Sequence, residues 1–263
     1  MNTLLRWAGS KRKLLPILTT IAPKDFERYV EPFAGSACLF FALDPLKALL
    51  GDINSELIGT YRQVKRHSID VARYLAGFKH GKREYYRLRE LNPKALDPQE
   101  RAARFIYLNR FSFNGLYRTN RSGQFNVPYG GSKPGTLPSV DMLSHYSKKL
   151  KKANLISGSF QLTLEQVKEG DFVYLDPPYS ISSRRVFREY HMSDFGSKDL
   201  RNLRSQLEHL DRKGIPFLVS YGLSREGNDL AKGFHARLVT VQRVIAGFSE
   251  NRRKSRELLI TNY

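Results

Sequence analysis

The 263-residue sequence is poor in several residue types, and each shortage excludes a class of protein. Cysteine occurs once, as Cys38, so the chain can form neither an internal disulfide nor a cysteine-based zinc site, which is typical of a reducing compartment. No apolar run approaches the roughly 18 residues that span a bilayer, and the first residues lack the apolar core of a signal peptide. We therefore expect a soluble, intracellular protein.

Acidic residues are scarce as well, with 25 Asp and Glu against 44 Lys and Arg, which leaves a formal charge of +19. An excess of this size favours a polyanionic partner, because DNA and RNA present many phosphates that need neutralising. Charge alone leaves open a basic protein with no such partner. The hydrophobic fraction of 41% suffices for a sizeable core, and the length suits one large α/β domain with an insert.

The shortage of acids is complete between residues 101 and 140, where no Asp or Glu occurs. Residues 121–124 predict a hairpin turn, and Phe105 and Tyr107 follow a helical pattern typical of core residues. Basic and aromatic side chains without carboxylates suit contacts with phosphates and unstacked bases, so we predict a nucleic-acid surface. An ordinary basic hairpin is the alternative. The basic residues are Arg101, Arg104, Arg110, Arg118, Arg121 and Lys133, and the aromatic residues are Phe105, Tyr107, Phe111, Phe113, Tyr117, Phe125 and Tyr129.

Short apolar runs alternate with helical patterns, which predicts an α/β fold built on a mostly parallel, doubly wound sheet. A helix is predicted over residues 38–43, and helical periodicity extends over residues 56–109 with breaks near Gly77 and Asn92-Pro93. The predicted strands are residues 29–33, 48–50, 155–156, 172–175, 217–219 and 258–260.

The motif Asp176-Pro177-Pro178-Tyr179 directly follows one of these predicted strands. Ligands of an open α/β sheet bind outside the carboxyl ends of its strands, which predicts a site here. The Asp176 carboxylate and the Pro177 carbonyl are two acceptors that can draw the N–H groups of a conjugated amine toward tetrahedral geometry and so free its lone pair. Tyr179 can stack on an extruded base. An ordinary strand that ends in a proline turn is the alternative.

Two further motifs predict a cofactor site. The turn at residues 31–37 follows the first predicted strand, and its small residues permit close approach of a cofactor to the backbone. Asp52 comes 17 positions after Gly35, a spacing typical of an acid that accepts hydrogen bonds from ribose hydroxyls, although a strand-end cap is the alternative. Near the N-terminus, Trp7 offers an aromatic face to a cationic ligand and Lys11 can reach a carboxylate, where otherwise an amphipathic helix would simply begin.

In their order along the chain, these motifs resemble the Dam-type family of DNA adenine methyltransferases, those with the D12 class of motif order. The resemblance covers nearly the whole chain and extends to residues 52–54, 114–118, 123–130 and 257–263. It implies a seven-stranded, Rossmann-like methyltransferase sheet with an inserted helical and β-hairpin DNA-recognition domain. The implied boundaries are 1–55 and 150–263 for the catalytic domain and 56–149 for the insert.

The resemblance also implies a reaction, namely methyl transfer from S-adenosylmethionine to the N6 amine of a flipped adenine in double-stranded DNA, within the sequence GATC. Neither a metal nor an obligate protein partner is implied, and the location would be the cytoplasm of a bacterium or of a phage-infected host. The implied catalytic residues are Asp176, Pro177 and Tyr179; the cofactor residues are Trp7, Lys11, Phe33, Ala34, Gly35, Asp52, Phe160 and Asp176; and the DNA-binding residues are Arg6, Phe113, Asn114, Leu116, Arg118, Asn126 and Lys133.

Three positions depart from the family pattern. Arg6 stands where Lys is usual, Ala37 where a second glycine is usual, and Ser159 where Asp is frequent. The motifs by themselves also leave rival functions open. Methylation of the cytosine N4 amine presents the same chemistry, RNA adenine is another substrate, and a basic DNA-binding protein with a vestigial cofactor site belongs to a different class.

Overall fold

The structure is a computed structural model that describes residues 3–120, 122–131, 135–179, 195–242 and 254–263. Its central element is a seven-stranded sheet, in which the first five strands are parallel and the last strand of the chain is antiparallel to both of its neighbours. The strands are β1 (Arg28–Glu31), β2 (Ala48–Asp52), β3 (Ala153–Ser157), β4 (Asp171–Leu175), β5 (Phe217–Gly222), β6 (His235–Gln242) and β7 (Lys254–Thr261).

Helices connect the strands, and short polar residues cap several of them. The side chain of Asn54 accepts a hydrogen bond from the Leu57 N–H, and that of Ser139 accepts one from the Met142 N–H, each at the start of a helix. The helices are α1 (Leu15–Ile21), α2 (Cys38–Leu43), α3 (Ser55–Gly77), α4 (Lys82–Glu90), α5 (Pro98–Phe111), α6 (Val140–Leu150), α7 (Phe160–Leu164), α8 (Ser197–Arg212) and α9 (Arg225–Ala231), with 3₁₀ turns at Lys11–Leu14, Pro93–Ala95 and Phe113–Gly115.

Successive residues of each strand point to opposite sides of the sheet, and helices cover both sides. In β4, Tyr174 packs into the core formed with α1 to α6, whereas Val173 and Leu175 pack into the core formed with α7, α8 and α9. The same alternation holds in β2, where Leu49 and Leu50 face the two different cores. The result is a sheet between two helical layers, which confirms the predicted α/β class.

The strand order is β3-β2-β1-β4-β5-β7-β6, and it reverses direction between β1 and β4. In parallel α/β sheets, the crevice for a ligand opens at such a reversal, outside the carboxyl ends of the two strands. The turn at 31–37 follows β1 and the motif at 176–179 follows β4. The topology therefore brings these two motifs to the same edge of the sheet.

The predicted local elements agree with the structure in position, although the first strand, predicted at 29–33, ends at Glu31. All six predicted strands are present, α2 has the predicted bounds, and α3 ends at Gly77 as predicted. The strand β6 was not predicted, because its residues are mostly exposed at the sheet edge and carry no run of apolar side chains.

The segment 101–140 is only in part a surface. Arg104 and Arg110, predicted to belong to a basic surface, are buried, and both donate to backbone carbonyls, those of Leu88 and Leu4 among them. Their charge serves to satisfy carbonyls inside the protein, which corrects that part of the prediction. Phe105 and Tyr107 lie in the core, as predicted. Within the part of the chain that the structure describes, no helix is both long and apolar enough to cross a membrane.

Candidate active site

Asp176 follows β4 directly and forms an ion pair with Lys11, whose Nζ lies 2.6 Å from the Asp176 Oδ1 atom. Lys11 is 4% exposed, comes from the 3₁₀ turn before α1, and also donates to the carbonyl of Gly9. Its ammonium lies 5.2 Å from the centre of the Tyr179 ring. The predicted contact of Lys11 with a carboxylate is therefore present, and it joins residues 165 positions apart.

Burial and charge act on this pair in opposite directions. Burial raises the pKa of Asp176, whereas the charge and hydrogen bond of Lys11 lower it, and the net pKa lies above the usual value of an aspartic acid. Burial would lower the pKa of Lys11, but the negative charges of Asp176 and Glu257 outweigh that effect and raise it. The negative charge of this carboxylate is therefore favoured by the Lys11 cation and opposed by burial.

Two further buried acids lie close to this pair. Glu257, on β7, is 2% exposed, and its Oε2 atom lies 3.9 Å from the Lys11 Nζ. Glu31, at the end of β1, accepts a hydrogen bond of 2.9 Å from the Tyr29 hydroxyl, and burial raises its pKa well above the usual range. Burial also raises the pKa of the Cys38 thiol to about 11, so the one cysteine of the chain is unsuited to act as a nucleophile.

The turn after β1 is held by Asp52, which follows the neighbouring strand β2. The Asp52 Oδ2 atom accepts from the Gly35 N–H and its Oδ1 atom from the Asn54 N–H, both at 2.8 Å. The Tyr61 hydroxyl donates to the Gly35 carbonyl at 2.6 Å. Gly35 and Ala37 have positive φ angles of 45° and 47°, so Ala37 adopts a conformation that favours glycine.

Aromatic side chains line the same edge of the sheet. Trp7 lies against Gly35, where an added Cβ atom would come within 2.8 Å of the indole. The ring of Tyr117 stacks on Trp7, with the two ring centres 6.1 Å apart. Phe33 stacks on Phe160 with ring centres 5.2 Å apart. The close backbone approach at Gly35, the carboxylate of Asp52 and this aromatic pair together form a cradle that suits a nucleoside-containing cofactor.

The predicted DNA-binding residues Phe113, Asn114 and Leu116 lie on a tight turn after α5. Phe113 is 43% exposed, and Asn114 adopts a left-handed conformation with a φ of 57°. Gly115 packs so closely against the Arg6 side chain that a Cβ atom added to Gly115 would clash with it. Arg6 is tied to α5 through Asn109, whose side chain binds both the backbone N–H and the carbonyl of Arg6.

Arg118 and Asn126 lie opposite each other on the two arms of the predicted hairpin. The Arg118 Nε atom donates to the Asn126 Oδ1 atom at 2.8 Å, and the Asn126 N–H donates to the Arg118 carbonyl. An isolated β-bridge pairs Thr119 with Phe125, so the two arms pair with each other without forming regular strands. Lys133 and Arg121 are outside the described residues.

The structure brings most of the predicted site residues to the carboxyl edge of the sheet, in two groups. Lys11, Asp176 and Tyr179 form one group, and the cofactor turn with Trp7, Asp52, Phe33 and Phe160 forms the other. Sequence reasoning missed Ser220 and Glu257, which contact this site from β5 and β7. Ser220 belongs to none of the motifs singled out in the sequence, and Glu257 begins the segment 257–263, to which no role at the site was assigned. In the described ranges, no cluster of three or more His, Cys, Asp or Glu side chains is arranged to hold a metal ion.

Comparison with known proteins extends these observations. A family model described as "D12 class N6 adenine-specific DNA methyltransferase" matches residues 7–245. The chain is 35% identical to the "Type II methyltransferase M1.LlaDCHI" of Lactococcus lactis subsp. cremoris, with 98% of this chain and 94% of the relative covered. It is 36% identical to the "DNA adenine methylase" of Escherichia coli (strain K12), with 97% and 93% covered. The "Type II methyltransferase M.MjaIII" of Methanocaldococcus jannaschii is 33% identical, with 98% of both chains covered.

These matches extend over nearly the full length of the sequence and include every motif that the sheet edge brings together. They also decide between the rival functions, since the family acts on the N6 amine of adenine in DNA rather than on cytosine or RNA. The chain belongs to the D12 class of N6 adenine-specific DNA methyltransferases.

Proposed function

We propose that this enzyme takes its methyl group from S-adenosylmethionine and delivers it to an adenine turned out of the duplex, within the sequence GATC. The observation that carries this proposal is the position of Asp176, a half-buried carboxylate at the reversal of the strand order, next to the cofactor turn and to Tyr179. A carboxylate here meets the two requirements of the reaction, closeness to a methyl donor and an acceptor for the adenine amine.

The cradle around Gly35 fits S-adenosylmethionine, which supplies a methyl group activated by a positively charged sulfur. Each carboxylate oxygen of Asp52 accepts one backbone N–H of the turn. A carboxylate has about four lone pairs in all, so Asp52 can still accept hydrogen bonds from ribose hydroxyls. Phe33 and Phe160 offer apolar, planar surfaces to the adenine ring of the cofactor. Trp7, Lys11 and Ala34 complete the proposed cofactor site.

The chemistry of the target amine falls to the motif after β4. Asp176 and the Pro177 carbonyl accept the two N–H groups of the adenine amine, which withdraws the nitrogen lone pair from the ring and directs it at the methyl group. Tyr179 provides a face on which the extruded base can stack. The charge and hydrogen bond of Lys11 lower the pKa of Asp176 and so favour its ionised form, in which neither oxygen carries a proton and both act only as acceptors.

Recognition of the sequence falls to the turn after α5 and to the hairpin. Exposed Phe113 fills the space that the departing adenine leaves, and Asn114 faces the orphaned partner base. Arg118, already oriented by Asn126, suits a bidentate contact with guanine, and Leu116 suits a thymine methyl group. In this proposal Arg6 reads the outer base pair and Lys133 contacts phosphate.

The test is to express the chain in a host without DNA methylation and to sequence the host DNA with a modification-sensitive method. We expect N6-methyladenine in GATC. In the Arg118→Ala variant, discrimination at one guanine should fall by about 1–3 kcal/mol. The control is Arg73→Ala, which removes an exposed arginine on α3 that pairs with nearby Asp70.

The outcomes separate the parts of the proposal. Methylated adenine in another motif contradicts the assignment of GATC and leaves the reaction standing. Methylation in every context means that the hairpin holds DNA without reading it. Absence of methyladenine with intact protein contradicts the proposed reaction.

A further inference from the structure

Two buried hydroxyl groups lie directly beneath Asp176 and have no part in the reaction described so far. The Ser220 Oγ atom, on β5, lies 3.2 Å from the Asp176 Oδ1 atom. The Tyr174 hydroxyl, on β4, lies 2.9 Å from the same Ser220 Oγ atom. Ser220 is 0% and Tyr174 is 1% exposed, so water does not compete for these bonds.

The chemistry of hydroxyl groups determines the direction of these bonds. An ionised carboxylate can only accept, so Ser220 donates its one proton to Asp176. Ser220 then has no proton left for Tyr174, and the Tyr174 hydroxyl must donate to the Ser220 oxygen. The two hydroxyls therefore form a line of donors that ends on Oδ1 of Asp176 and strengthens each bond in it.

Lys11 contacts the same oxygen. Its Nζ lies 2.6 Å from Oδ1, so both of the side-chain contacts that the described residues make with this carboxylate fall on one oxygen. Two hydrogen bonds to one oxygen oppose rotation of the carboxylate about its Cβ–Cγ bond. A carboxylate held in this way presents its second oxygen, Oδ2, in a constant direction.

We propose that Ser220 and Tyr174 are positioning residues for methyl transfer, which hold Asp176 so that Oδ2 accepts the hydrogen bond of the adenine amine. This inference rests on the proposed function, because it assumes that Asp176 acts on that amine. Ser220 and Tyr174 touch neither substrate nor cofactor. Their effect is on the geometry and the ionisation of Asp176, and the precise direction of an acceptor affects the rate more than binding.

A purely structural role would leave the pH dependence of the reaction unchanged, and a positioning role would not. The groups that surround Asp176 are Lys11, Tyr179, Glu257, Glu31 and Cys38, besides the two hydroxyls. Burial raises the pKa of Asp176, and the bonds from Lys11 and Ser220 lower it. Removal of the Ser220 hydroxyl therefore raises that pKa, and the decline of activity at acidic pH begins at a higher pH.

The experiment measures kcat and KM for a GATC duplex as a function of pH, for the wild type, Ser220→Ala and Tyr174→Phe. We expect kcat of Ser220→Ala to fall about tenfold at neutral pH, as for one lost bond to a charged group. Tyr174→Phe should act in the same direction and less, while KM for DNA changes little in either variant. The matched control is Ser147→Ala, which removes another buried serine hydroxyl, one that donates to the Lys65 carbonyl far from the site.

The result that overturns the proposal is a kcat within twofold of the wild type and an unmoved acid limb in the folded variants. Folding is checked by thermal unfolding. If Ser220→Ala is too unstable to assay, Tyr174→Phe decides alone, because it leaves the Ser220 hydroxyl and its bond to Asp176 in place and removes only the second donor. A wild-type enzyme that methylates no adenine contradicts the proposed function instead, and that result is visible before any variant is made.

Discussion

Asp176 lies where burial and one cation oppose each other. Burial raises the pKa of its carboxyl group and Lys11 lowers it, with a net pKa above the usual value. The proposed acceptor is the ionised form, which is lost as the pH falls through that raised pKa. We therefore expect the acid limb of activity at a higher pH than an ordinary aspartic acid would give.

Replacement of Asp176 tests its role directly. Asp176→Ala should lower the rate of methyl transfer by at least the roughly 3 kcal/mol typical of one lost oriented polar group. Asp176→Asn keeps the shape but replaces one acceptor with a donor, so it should also be nearly inactive and should lack the acid limb. Single-turnover rates across pH measure both effects.

The control for these variants is Asp229→Asn on α9, an exposed acid that pairs with Lys232. It should behave like the wild type. Near-normal turnover of Asp176→Ala would falsify the assignment of this motif as the catalytic centre.

The contact of helix α7 with strand β2 shows how closely elements approach at the cofactor edge. Gly51 in β2 faces Thr163 of α7, and a Cβ atom on Gly51 would lie 2.0 Å from the Thr163 Oγ1 atom. Thr163 is fully buried, so it has little space into which to move. The absence of a side chain at Gly51 therefore determines how α7 packs, and with it the position of Phe160 at the helix start.

We expect Gly51→Ala to lower the free energy of unfolding by about 1–3 kcal/mol, the usual cost of an overpacked core. Each kcal/mol lowers the melting temperature by about 2–4 °C in a protein of this size. The double variant Gly51→Ala with Thr163→Ala should recover part of the loss, because it removes the clashing atom.

The matched control is Gly59→Ala in α3, where the space around the added Cβ atom is open. It should stabilise the protein by about 0.5–1 kcal/mol, because alanine is the better helix former. An equally stable or more stable Gly51→Ala protein would contradict the close packing of α7 on β2.

The whole molecule carries a formal charge of +19, although some of this charge is used inside the protein. Arg104 and Arg110 satisfy buried carbonyls, and Lys11 pairs with Asp176. The net positive charge attracts the DNA backbone, whose affinity for a protein depends on the release of counterions.

Binding to any duplex should therefore weaken steeply with added salt. Each phosphate contact contributes about −0.9 to the slope of log affinity against log salt, so we expect a slope steeper than about −2. Titration of a labelled duplex at several salt concentrations measures it, with binding of S-adenosylmethionine as the less salt-dependent control. A shallower slope would argue against binding dominated by the phosphate backbone.

Much of the fold was predictable because local patterns carry it. The runs at β4 and β5 are apolar since both faces of these strands are covered, and Gly77 marks the end of α3. The strand β6 was not predictable in the same way. It pairs only with β7 at the sheet edge and has little to bury, so the exposed Leu238 carries no strand signal.

The motifs of the site could be identified from the sequence for a similar reason. Pro177, Gly35, Asp52 and Asp176 are residue types that restrict the backbone or that carry the proposed chemistry, and each follows a predicted strand. Local sequence was thus sufficient for the fold class and for strands that end in these motifs, whereas the reaction was predicted from the family resemblance that the motifs carry.

Contacts between distant residues were decided by packing alone. Lys11 reaches Asp176 across 165 positions and Ser220 reaches it across 44, and no periodicity or spacing encodes either pair. Which residues orient Asp176 and which arginines are buried depend on how α5, β5 and β7 pack against the N-terminal segment. Side chains far apart in the chain become neighbours only when the helices pack on the two faces of the sheet. That part of the site therefore forms only in the folded protein.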